Sequence, residues 1–250
     1  MDDKVNYLLR LGDNALILSQ QLSQWCGKGP ALEEDMALTN VALDLLGQTR
    51  MWYGYAAELE GAGRDEDQLA YLRDAHDFKN CLLLEQPNGN YADTLVRQFL
   101  FDAWHYFLIE GLTRSSDARI AAIAEKSLKE VTYHLRRSGD LMVRLGDGTD
   151  VSHAKTQGAV DALWMYSGEV FAYDAVDQAM VAAGVAPAAD ALRAQWLAHV
   201  AEILAEARLT MPPADAWMQQ GGKQGRHTEH LGYILAEMQF LQRAYPGAQW

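Results

Sequence analysis

The chain has 250 residues, 49% of them hydrophobic and 22% charged, which suits one large globular domain with an ample core. Its 21 Lys and Arg stand against 34 Asp and Glu, a formal net charge of −13 that repels phosphate backbones and anionic lipid and argues against nucleic-acid and peripheral-membrane binding. Cys26 and Cys81 lie outside any C-x-x-C pair and read as free thiols of a reducing cytoplasm, and the N-terminus MDDKVNYLLRLGDN shows neither a signal peptide nor a spanning segment.

Helical periodicity runs through the chain. In residues 7–25, Leu8, Leu11, Ala15, Leu18, Leu22 and Trp25 recur at three- and four-residue steps before CGKGP breaks the pattern. A long second helix is expected over 32–59, closed by Gly61-Ala62-Gly63, and a short one over 66–75. QPNGN is a turn, and Asn90 with Asp93 caps the helix that carries DAWH. Ser116 is expected to cap the next helix, which runs through KEVTYH to Leu145. Ser152 then starts a helix that reaches Gly184. Pro187 suits the first turn of a further helix ending near Pro212-Pro213, and a last one covers 226–244. No stretch alternates with period two. The prediction is an all-α chain of seven or eight helices in a single domain, residues 1–250.

Polar residues inside such helices are the candidates for chemistry, because a bundle core normally excludes them. They are Asp13 or Asn14 on the first helix, Asp44 on the second, Asp102 and His105 in DAWH, and Glu130 and His134 in KEVTYH. Carboxylates and histidines on separate helices are the raw material of a di-iron bundle, whose usual pattern needs two E-x-x-H motifs plus one carboxylate from each remaining helix. Here Asp44 opens D-L-L-G, so Gly47 stands where the first histidine belongs. Val131, 29 residues after Asp102, stands where a carboxylate should precede His134. Both two-ligand motifs are half deleted, which should abolish tight binding of iron. In GGKQGRHTEH, Lys223, Arg226 and His227 just before the last helix are candidates for an anion or an acidic partner surface, with a solvated loop as the plainer reading. His227 and His230 lack the further ligands that zinc needs.

The segments LRLGDNALILSQQL, ALDLLGQTR, LLEQPNGNYADTLVRQFLFDAWH, KEVTYH, LGDGTDVS and GGKQGRHTEHLGYILAEMQFLQR, with the terminal Trp250, cover nearly the whole chain. In them the chain resembles the structural, iron-free C-type subunits of the multicomponent phenylacetyl-CoA epoxidases of bacterial aerobic phenylacetate degradation. The resemblance implies a ferritin-like helical bundle with additional helices and no cofactor in this chain. It also implies a paralogous catalytic subunit that carries the di-iron centre, and further partners in the other small subunits and the reductase of the complex. Against that subunit's ligand pattern Asp44, Asp102 and His134 match in type, Gly47 and Val131 do not, and the first-helix position falls at Asp13 or Asn14. KEVTYH then reads as a relict metal motif. The competing reading is a catalytic di-iron subunit using Asp102, His105, Glu130 and His134, and an iron-storage bundle is a third. If the relict reading holds, Asp44, Asp102 and His134 should face inward, with His134, His105 or an intruding Arg or Lys bonded to Asp102.

Overall fold

The computed structural model describes residues 2–213 and 215–248, and Trp250 lies outside them. These residues form nine α-helices and no strand: α1 Asp3–Ser23, α2 Leu32–Glu60, α3 Glu66–Tyr71, α4 Tyr91–Leu112, α5 Ala118–Gly146, α6 Asp150–Leu163, α7 Ala175–Ala182, α8 Ala189–Glu206 and α9 Glu229–Ala244. The all-α expectation holds, with one helix more than the upper count.

Where capping chemistry is explicit, the boundaries agree. Gly61 ends α2 with φ of 64° and returns its N–H to the Ala57 carbonyl, a conformation a residue with a Cβ resists. Asn90 caps α4 in a box with Asp93. Elsewhere the chain corrects the prediction. Asp117, not Ser116, caps α5, while Ser116 Oγ donates to the Ala183 carbonyl. Ser152 sits inside α6, boxed with the true cap Thr149. That helix stops at Leu163, because Ser167 Oγ donates to the Trp164 carbonyl and Gly168 packs where a Cβ would lie 2.6 Å from Met218. Asp174 then caps the separate α7. Pro187 precedes α8 rather than opening it, and its carbonyl accepts the Tyr173 hydroxyl at 3.1 Å.

The chain forms two compact units. The first, residues up to Gln86 and from Gly221, holds α1, α2, α3 and α9. Its principal contact is α1 against α2, and Gly12 permits it, since a Cβ there would collide with the Tyr53 ring. The second, Pro87–Gln220, packs α4 against α5, α6 and α8, with Trp196 Nε1 donating to the Leu100 carbonyl at 2.9 Å. Both α1 and α4 are buried on nearly every side, which explains their apolar residues all round and the few polar ones held inside.

Candidate functional site

In the second unit α4 and α5 bring Asp102 and His134 together, both about 1% exposed. Gln98, one turn before Asp102 on α4, donates from Nε2 to Asp102 Oδ1 at 2.6 Å. Ser138, one turn after His134, donates from Oγ to the His134 carbonyl at 3.0 Å, and Asp102 Oδ2 has no hydrogen bond of ordinary geometry. Burial pushes the Asp102 carboxyl up to about 6, against the opposing pull of His134, Ser138, Gln98 and Arg137. The unfolded carboxyl ionises first, so this group removes stability as pH rises from about 4 to 6, and the loss persists above that. His105, also buried, is pushed down to about 3 by burial and by His134 and is neutral at physiological pH. Val131 is buried on the same helix as His134, and Glu130 is half-buried.

In the first unit the two first-helix candidates are already engaged. Asp13 accepts Arg73 Nη2 at 2.5 Å, Arg73 Nη1 at 3.2 Å, the Tyr53 hydroxyl at 2.5 Å and the Lys79 backbone N–H at 2.6 Å. Asn14 Oδ1 accepts the Cys81 backbone N–H at 2.8 Å. The Asp13 carboxylate is thus saturated by a guanidinium, a phenol and an amide, and presents no lone pair suited to a metal. On α2, Asp44 is half-buried and Gly47 is exposed, and the buried polar side chains of that stretch are Gln48 and Thr49. Asp44 therefore lacks the enclosure of Asp102 and His134. Among the described residues of either unit, no three His, Cys, Asp or Glu side chains assemble into a set able to hold a metal ion. Glu130 accordingly completes no ligand group with Asp102, His105 and His134. The residues present do not fit a di-iron centre.

The candidate cationic loop is also corrected. Gly222 and Gly225 let the backbone lie against residues 76–81, where a Cβ on Gly222 would collide with the Asn80 carbonyl oxygen. The His227 side chain is buried, with Nδ1 at 2.5 Å from Glu85 Oε1 and Nε2 at 2.9 Å from the Phe78 carbonyl. Both partners are acceptors, an arrangement that favours the doubly protonated ring. Burial opposes that charge, but the hydrogen bond and charge of Glu85, with the Phe78 carbonyl, raise the His227 pKa above its usual value. Glu85 Oε2 takes the Thr228 N–H and hydroxyl at 2.8 and 2.7 Å, and Asn80 Nδ2 donates to Oε1 at 2.9 Å. His227 is an internal clamp on the start of α9. Of the predicted trio, only Arg226 is exposed, with Lys223 half-buried.

The sequence model of the phenylacetic acid catabolic proteins matches residues 1–250. The chain belongs to the phenylacetic acid catabolic protein family. It is also 52% identical to the C-type subunit of the 1,2-phenylacetyl-CoA epoxidase of Escherichia coli (strain K12), over all of both chains. The family is ferritin-like and helical, as the resemblance implied. In this family member the polar groups that sequence reasoning missed are Arg73, Glu85 and Gln98. Only Gln98 carried a signal, a polar residue one turn from Asp102 inside an apolar helix. No helix among the described residues is long and apolar enough to cross a membrane.

Proposed function

We propose that this chain is the non-catalytic, structural subunit of a multicomponent 1,2-phenylacetyl-CoA epoxidase in aerobic phenylacetate degradation. It pairs with a paralogous catalytic subunit that carries the di-iron centre, holds that subunit in its active shape and helps form the docking surface for the small subunits and the reductase, in the cytoplasm. The observation that carries the reading is the donor set. Gly47 and Val131 supply no ligand atom, and the Asp13 carboxylate is filled by Arg73, Tyr53 and Lys79. The relationship to a C-type epoxidase subunit supports a place in such a complex. The physical logic is that of a duplicated bundle that keeps its packing surfaces after its chemistry is gone. Asp102 and His134 then serve as internal packing groups.

Reconstitution of the epoxidase with and without this chain tests the proposal. Turnover should depend on the chain, and a chain carrying Asp102→Asn with His134→Gln should support turnover within about twofold of wild type once assembled. A loss of a hundredfold or more in a correctly assembled complex, on the scale of removing a group that acts in the transition state, would place chemistry in this subunit.

A further inference from the structure

The break that ends α6 at Leu163 leaves a cavity of about 240 Å³ in the second unit, between the turns after that helix and α8. Trp164, Phe171 and Trp196 give it an aromatic wall, with ring centroids 5.4 Å apart both for Trp164 and Trp196 and for Phe171 and Trp196. Arg193 stands one turn before Trp196 on the same face of α8. Met218 and Gln220 reach the cavity from a loop that the Gln219 N–H ties to the Met165 carbonyl at 2.7 Å.

Hydrogen bonding and charge decide what fits there. Trp196 Nε1 is spent on the Leu100 carbonyl. Trp164 is 3% exposed, yet its Nε1 meets no acceptor among the described residues. A buried N–H left open in a packed core calls for an acceptor from outside the chain. The protein carries a net charge of −13, but no Asp or Glu lines the cavity, and its one ion is the exposed Arg193, which has no carboxylate partner among the described residues. A cation, which aromatic walls alone would favour, therefore meets a guanidinium instead of a carboxylate. An anion meets two kinds of N–H donor. Small-molecule sites usually run to about 300–1,000 Å³, so this smaller one suits a single ring and not a cofactor. Flat rings pack well against indole and phenyl groups.

We propose that this cavity binds a small single-ring aromatic carboxylate, its ring against the aromatic wall and its carboxylate accepting from Trp164 Nε1 and Arg193. Asp102 and His134 take no part in the lining, and binding here does not depend on the structural-subunit reading. The test titrates the full-length chain with benzoate, cyclohexanecarboxylate and benzylamine, following heat and the assigned indole N–H resonances. Benzoate should bind once per chain with a dissociation constant below about 1 mM and move the Trp164 indole resonance. Cyclohexanecarboxylate keeps the charge without the flat ring, and benzylamine keeps the ring with the charge reversed. Each should bind at least about tenfold more weakly. Arg193→Gln should weaken benzoate about threefold at unchanged melting temperature, the scale of an exposed ion pair. Trp164→Phe keeps a ring, loses the N–H and should weaken it about tenfold. Should Trp164→Phe fail to fold, the wild-type resonance and Arg193→Gln decide alone. No binding of benzoate, binding that leaves the Trp164 resonance and the Arg193→Gln affinity unmoved, or a preference for benzylamine would each overturn the site.

Discussion

Asp13→Ala is expected to destabilise the chain by about 3–5 kcal/mol, the effect of leaving a buried charge without its partner. Arg73 is 4% exposed, and its Nε is committed to the Leu69 carbonyl at 2.6 Å, with Nη1 also reaching the Asp77 carbonyl at 3.1 Å. Its guanidinium carbon lies 4.3 Å from the centroid of the Phe78 ring, so it cannot swing into water without unpacking that aromatic. Burial works against its charge, and the Asp13 carboxylate more than offsets this, leaving the Arg73 pKa raised. Without Asp13 that compensation vanishes, and the Tyr53 hydroxyl and the Lys79 N–H lose their acceptor too. Replacing both ions by apolar residues of similar volume, Asp13→Leu with Arg73→Met, should recover most of the loss, because the cost lies in the stranded charge. Urea unfolding of the single and double variants measures both quantities. A cost below about 1 kcal/mol for Asp13→Ala would mean that water or a rearranged side chain reaches the guanidinium.

The second large effect concerns the clamp of His227 on Glu85. Glu85→Ala should cost about 3–5 kcal/mol at pH 6, since it removes the buried acceptor shared by the His227 ring, the Thr228 N–H and hydroxyl and Asn80 Nδ2. The interaction also fixes a pH dependence. The folded His227 pKa lies above the ordinary 6.5, so the contribution is fully present below 6.5 and is lost as pH rises through the folded value. Stability attributable to the clamp should therefore decline as pH rises above 6.5 through the folded value, opposite in sense to acid denaturation. Glu85→Gln should bring the His227 titration back down, which NMR of the imidazole ring detects directly. A His227 resonance titrating below 6.5 in the wild type would contradict the doubly donating ring.

How much of this was legible in the sequence differs from one element to the next. The ends of α2 and the start of α4 were, because Gly61 and the Asn90–Asp93 pair are local signals whose chemistry does not depend on the rest of the fold. The break between α6 and α7 was not. The run from Val160 to Val170 stays rich in apolar residues, and the decisive facts are a Ser167 side-chain hydrogen bond and the approach of Met218 to Gly168 from far along the chain. Asp102 and His134 were legible as polar residues on otherwise apolar faces. Asp44, expected to face inward, is half-buried, because a spacing of three says that two residues share a face but not which way that face points. Arg73 and Glu85 were invisible for a further reason. Each meets its partner across a long sequence separation, which no local pattern announces.

On the proposed function, this protein keeps the ferritin-like scaffold of its family without a metal of its own. Metal analysis of the separated subunits of a reconstituted, active epoxidase tests it most directly. Iron is expected to follow the catalytic subunit, and this chain to retain none in stoichiometric amount, even after anaerobic loading with ferrous iron. About two iron atoms held per copy of this chain, with the spectrum of a carboxylate-bridged pair, would contradict it.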